Sequence, residues 1–171
     1  SGLVSLFVRG KFVQHSDGVV TEHGLRPNLF VYSRGGDAAK DLKAVFNWES
    51  GMLIMESGRK GVSTIPLIDG AQDMLSFMYQ FMFVPPLVQM QLAITNGKKF
   101  RIYSYGFEGE ETLKTDIGNL LTLHIAKYSI DGNEKTELWL APDYRYLPVK
   151  ISQTEEDGDL IVQIVKHLDV E

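Results

Sequence analysis

The stretch Asn119-Leu120-Leu121-Thr122-Leu123-His124-Ile125-Ala126-Lys127-Tyr128-Ser129 alternates, with Leu121, Leu123 and Ile125 on one side of the pattern and Thr122, His124 and Ala126 on the other. Only an extended chain puts every second residue on one face, so the run reads as a strand with one face buried and the other partly wet. Asp131-Gly132 follows, and a second run extends from Glu134 to Ala141. Asp-Gly supplies the positive φ angles of a tight turn, so the two runs are expected to fold back as a hairpin.

The same pattern recurs outward from this stretch in both directions. Asp17-Gly18, Asn96-Gly97 and Asp157-Gly158 each sit between period-two runs and predict three more hairpins. Residues 3 to 15 read as the first long strand. Further strands are expected at 28 to 34, 43 to 48, 52 to 56, 62 to 65, 88 to 95, 99 to 107, 108 to 114, 146 to 154 and 159 to 168. No internal repeat or low-complexity segment interrupts them. The expected class is mainly β: a curved antiparallel sheet or half-barrel, in one domain spanning residues 1–171.

One segment breaks the rhythm. Residues 71 to 83 predict a helix opened by Asp69 as N-cap, with Gln72 three residues on, and closed by Pro85-Pro86. Met74, Leu75, Phe77, Met78, Tyr79, Phe81, Met82 and Phe83 leave it almost no polar face, so it has to be covered on most sides, within the concave side of the sheet. Met74 to Gly97 contains no Asp, Glu, Lys or Arg, but the proline pair cuts it into halves too short to span a bilayer as helix. It reads as a buried helix followed by a strand, not as a membrane span.

With 22 acidic and 17 basic residues the net charge is -5, and no run of Lys or Arg is longer than two, as at Lys98-Lys99. Nucleic acid draws its affinity from clustered cations, so the composition argues against it as a partner, and against an anionic membrane surface for the same reason. There is no cysteine, hence no disulfide and no thiolate nucleophile or metal ligand. His15, His23, His124 and His167 include no pair at i, i+4 spacing, so no metal site is expected. Arg34-Gly35-Gly36-Asp37 lacks the Lys-Ser or Lys-Thr of a phosphate loop, and no nucleophile elbow occurs; no cofactor or catalytic residue is expected. Glu108, Glu110 and Glu111 are read as a solvated acidic turn.

What stands out is apolar. Met74, Phe77, Met78, Phe81, Met82 and Trp139 are the candidate ligand-binding residues, because flexible, polarisable methionine adapts to ligands of variable shape. The alternative is that they fill the core. Trp139 and Tyr146 are expected to meet across a turn at Pro142-Asp143.

Three phrases carry a family resemblance: Gly2-Leu3-Val4-Ser5-Leu6-Phe7, Pro66-Leu67-Ile68-Asp69-Gly70-Ala71-Gln72-Asp73-Met74-Leu75-Ser76, and Thr136-Glu137-Leu138-Trp139-Leu140-Ala141-Pro142-Asp143-Tyr144-Arg145-Tyr146-Leu147-Pro148-Val149-Lys150. With Gly109-Glu110-Glu111-Thr112-Leu113-Lys114-Thr115 and Gly118, they resemble a family of bacterial exported proteins known as domain of unknown function 3108. Met74 departs from the arginine common there. The resemblance implies a signal peptide, strands ahead of Gly2 and a periplasmic or otherwise exported location, and it carries over no catalytic residue. The Leu138-Trp139-Leu140 phrase followed by Leu147-Pro148-Val149-Lys150 is also similar to periplasmic lipoprotein carriers, whose half-barrels hold acyl chains.

The expected function is therefore a non-enzymatic envelope binder of an apolar ligand, a lipid or lipoprotein acyl chain. The alternatives are a scaffolding module without a cavity and an uncharacterised hydrolase using a carboxylate or His124. A strand-pairing partner or a homodimer is expected through residues 3–15, where Arg9 and Lys11 alone guard an apolar strand.

Overall fold

The computed structural model describes residues 2–8, 12–33, 35, 38–128, 135–154 and 160–168, with the backbone alone for 2–8, 12 and 128. The period-two runs become strands in chain order: β1 (Gly2–Val8), β2 (Phe12–Thr21), β3 (Gly24–Ser33), β4 (Leu42–Asn47), β5 (Met52–Ser57) and β6 (Gly61–Pro66). Then follow β7 (Gln72–Asp73), the helix α1 (Ser76–Gln80), β8 (Gln89–Thr95), β9 (Phe100–Thr115), β10 (Gly118–Tyr128), β11 (Lys135–Ala141), β12 (Leu147–Thr154) and β13 (Leu160–Ile164). Strands β1 to β6 form a six-stranded antiparallel meander. The second sheet has seven strands in the order β13-β12-β11-β10-β9-β8-β7; it is mixed, because β7 and β8 run parallel. The class is mainly β with a curled half-barrel sheet and one short helix.

Four local expectations are corrected. Residues 3 to 15 are not one strand: β1 pairs antiparallel with β2, from Gly2 opposite Gly18 to Val8 opposite Phe12. Asp17-Gly18 is not a turn but lies within β2, opposite a bulge at Asn28 of β3; the chain reverses at Glu22-His23, and Gly24 takes φ 94°. The two runs expected at 99 to 107 and 108 to 114 are one long strand, β9, in which Gly109 (φ 154°) lies at a register shift, so Glu108, Glu110 and Glu111 sit exposed along a strand and not at a turn.

The fourth correction is the helix, which covers Ser76–Gln80 and not 71 to 83. Its N-cap is Asp73 and not Asp69: Asp73 Oδ1 accepts hydrogen bonds from the N–H groups of Leu75 (2.8 Å) and Ser76 (2.9 Å). Ser76 Oγ reciprocates by accepting from the Asp73 N–H at 2.8 Å. Gln72 and Asp73 are meanwhile held in β7, opposite Ile94 and Thr95. Past Gln80 the chain turns at 81–83 and meets Pro85-Pro86, which cannot continue a helix.

Asn96-Gly97 makes its expected turn: Gly97 takes φ 84°, and Asn96 Oδ1 accepts from the N–H groups of Lys98 (3.0 Å) and Lys99 (2.9 Å). Asp131-Gly132 and Asp157-Gly158 lie outside the described residues, although the strands flanking each pair antiparallel.

The chain divides into two compact units, one of Ser1–Gln80 with Leu92–Ile102 and one of Phe81–Gln91 with Tyr103–Glu171. In the first, Phe30, Ala44, Phe46, Leu53, Met55, Ala71 and Leu75 form a buried core, against which Trp48, Met74 and Phe100 pack. In the second, Leu120, Trp139, Ala141 and Val149 cluster with Leu113, Ile117, Tyr144 and Val165. Pro142–Tyr144 make a tight helical turn, relaxed by left-handed Arg145 (φ 55°) and Tyr146 (φ 59°). Tyr144 is the tyrosine of that turn that packs against the Trp139 cluster.

Candidate functional site

Gly18 explains where the pocket lies. A Cβ there would collide with the Arg26 carbonyl oxygen and stand 2.8 Å from Pro27 Cα, so only glycine lets β2 and β3 approach this closely at the bulge. Beside it is a pocket of about 50 Å³, lined by Ser16, Gly18, Val19 and Val20 of β2, Leu25, Arg26 and Pro27 of β3, and Ser76 of α1. One water needs roughly 10–15 Å³ of such space, so the pocket has room for a few atoms. Val19 and Val20 are exposed by 45% and 59%, so apolar surface continues outward from it.

Behind the serines lies Asp73, fully buried. Ser16 Oγ donates to its Oδ2 at 2.7 Å, while Oδ1 takes the two N–H groups of the helix cap. Burial raises the Asp73 pKa above the usual carboxylate value, against the lowering pull of its hydrogen bonds from Ser16, Ser76 and Leu75. With its hydrogen committed to Asp73, the Ser16 hydroxyl can offer the pocket only acceptor lone pairs. The lining contains no histidine to activate it as a nucleophile. The arrangement is suited to binding.

The wall at Leu25 to Pro27 is held by side chains in place of a strand. The β3–β4 register covers Leu29 to Tyr32 only. Nearer the hairpin, Leu25 N–H donates to Gln80 Oε1 (2.6 Å), the Leu25 carbonyl accepts from Gln72 Nε2 (2.8 Å), and the Pro27 carbonyl accepts from Trp48 Nε1 (2.7 Å). Gln80 Nε2 also donates to the His23 carbonyl at 3.0 Å. The Arg26 guanidinium lies 4.7 Å from the Trp48 ring centre, a cation–π contact that holds the same segment.

The six expected ligand residues fall in different places. Met74, Phe77 and Met78 belong to the first unit, and Phe81, Met82 and Trp139 to the second. Phe77 and Met78 are each 1% exposed and Phe81 2%, while Met74 and Met82 are half-buried. From α1 the pocket takes Ser76. Trp139 is buried in β11, stacked on His124 with ring centres 4.4 Å apart and planes at 4°, and the Lys150 ammonium sits 3.8 Å above its ring. His124 Nε2 lies 3.2 Å from Glu137 Oε1, which also receives Lys135 Nζ at 2.8 Å.

Ser16, Gln72, Asp73, Ser76 and Gln80 escaped the sequence reading. A signal existed for one pair: Asp73-x-x-Ser76 has the spacing of an N-cap and its reciprocal partner. Ser16 and the glutamines become meaningful only once distant strands are placed.

Among the described residues no group of three or more His, Asp or Glu is placed to hold a metal ion, and no helix is long and apolar enough to cross a membrane. A family model described as "Protein of unknown function (DUF3108)" matches residues 1–165, nearly the whole chain, and the protein belongs to that family. No curated protein and no solved structure matches it.

Proposed function

We propose that this member of the 3108 family is a non-enzymatic binder of an apolar ligand, a lipid or lipoprotein acyl chain, acting in the cell envelope after export. The observation that supports it is the pocket at Gly18, where Val19, Val20, Leu25 and Pro27 surround two serine hydroxyls beside α1. Sites that enclose a whole drug-sized ligand run to about 300–1,000 Å³; one of about 50 Å³ takes the end of a chain. As such a chain advances, Met74 and Met78 would yield to it and Phe77 would form its aromatic floor. Phe81, Met82 and Trp139 are proposed as ligand contacts of the second unit. The test is titration with decanol, followed by calorimetry. Val20→Glu, at an exposed position, should weaken binding by about tenfold or more, the cost of placing a charge against an apolar chain. Unchanged affinity in a folded variant would remove the pocket from the reading.

A second reading, an interaction module, is favoured by the edge position of β1, which among the described strands pairs with β2 only. An edge strand can add a strand from a partner or a second copy. Residues 13 to 15, expected to share this role, lie in β2 between β1 and β3 and are already paired on both sides.

A further inference from the structure

We infer that the face of β10 to β13 carrying Trp139 and Lys150 binds an anionic amphiphile, with a carboxylate or phosphate oxygen at Lys150 and Trp139 and the aliphatic chain along β13. This rests on the proposed ligand contact at Trp139 and goes beyond the pocket at Gly18, because it adds residues outside that pocket and requires a charged ligand.

Residues directly opposite one another in antiparallel strands share a face. The registers therefore place His124, Trp139, Lys150 and Ile164 in one row across four strands. Ala126, Glu137, Ser152 and Val162 form the next row, and Lys135, Thr154 and Leu160 the third. The ring stacking of His124 on Trp139 and the seat of Lys150 over the indole agree with the first row.

Two groups in that row are left with bonding capacity. The Trp139 Nε1–H is buried and has no hydrogen-bond acceptor among the described residues. The Lys150 ammonium, 3.8 Å from the centre of the same indole, has the ring as its partner and no carboxylate among the described residues. The carboxylate of this face, Glu137, is engaged by Lys135 at 2.8 Å and His124 at 3.2 Å. An anionic oxygen at the indole edge would accept from the N–H, and the Lys150 ammonium, turned from the ring face toward that edge, would reach the same oxygen; charge-assisted hydrogen bonds of this kind are the strong ones.

The chain half of the ligand is set by β13. Leu160, Val162 and Ile164 are exposed by 64%, 48% and 51%, and they alternate onto the face that carries Lys150. They make an aliphatic stripe of about 13 Å at the strand's rise per residue, and its Ile164 end lies directly opposite Lys150. The charge at one end of an apolar track selects an anionic amphiphile over a neutral one.

The test follows the Trp139 indole N–H by NMR in the full chain, assigned with Trp139→Phe, during titration with decanoate, decyl phosphate and decanol. At least one anion should move that resonance with saturable binding, and which of the two does so identifies the headgroup; decanol should leave it in place. Lys150→Met should weaken the anion by about tenfold or more, the loss of one charge-assisted hydrogen bond, and Lys150→Arg should restore most of it. Val20→Glu should leave this response intact, which separates failure here from failure of the pocket. A resonance that ignores both anions, or that moves equally with decanol, overturns the inference; so does undiminished anion binding to folded Lys150→Met. Should Lys150→Met not fold, the comparison of anion with alcohol on the unaltered chain decides alone.

Discussion

Asp73 ties three parts of the first unit together through one carboxylate. It caps α1, receives Ser16 and is fully buried. Its raised pKa has a definite sign in stability. Below the ordinary value of 3.8 the carboxyl is neutral folded and unfolded; as pH rises past that value the unfolded chain ionises first, so stability falls until the folded group ionises too. Its contribution is thus fully present in acid and lost as pH rises through the raised folded pKa. Asp73→Asn keeps an oxygen for the Leu75 and Ser76 N–H groups, and denaturant melts from pH 3 to 8 should show this component of the slope gone. Asp73→Ala removes the cap and strands the Ser16 hydroxyl, which should cost about 1–3 kcal/mol. Gln80→Ala should cost a similar amount, about 1–3 kcal/mol by urea unfolding, because Leu25 N–H and the His23 carbonyl lose their partner together.

At the scale of elements, α1 is a five-residue helix whose buried residues include Phe77 and Met78. A helix this short has little stability of its own, so packing and the cap maintain it. Phe77→Ala should lower unfolding free energy by about 3–5 kcal/mol, the range for emptying an aromatic core position; a loss below about 1 kcal/mol would place Phe77 outside the core. The close approach of β2 and β3 at the bulge makes a separate prediction. Gly18→Ala forces β2 and β3 apart and should cost about 1–3 kcal/mol, with loss of decanol binding. The helix boundary was not legible in the apolar pattern, because Met74 and Leu75 continue it while Gln72 and Asp73 are already committed to a strand.

At the scale of the molecule, each of the two units has a buried core of its own, and among the described strands the sheets end in β1 and β6 and in β13 and β7, of which β1 and β13 lie nearest the chain ends. Edge strands without charge recruit other strands, and neither Gly2–Val8 nor Leu160–Ile164 contains a charged residue. The protein should therefore self-associate as concentration rises. Leu6→Lys should shift sedimentation toward monomer if β1 is the contact; Val162→Lys should do so if β13 is.

The sequence by itself determined the fold class, nearly all the strands and the Asn96-Gly97 turn, because period-two alternation and turn chemistry act between near neighbours and can be read without knowing the rest of the chain. It also determined that the segment around Phe77 is buried, since a run with no polar face has nowhere else to go. Only the tertiary structure decided that Asp17-Gly18 faces a bulge, that Asp73 begins the helix, and that Ser16 lines the pocket while Gln72 and Gln80 hold its wall. Ser16 is 57 residues from Asp73, and Gln80 is 55 from Leu25. A hydrogen bond across such a separation leaves no trace in local spacing: what makes each group a partner is the burial and register that distant strands impose on it.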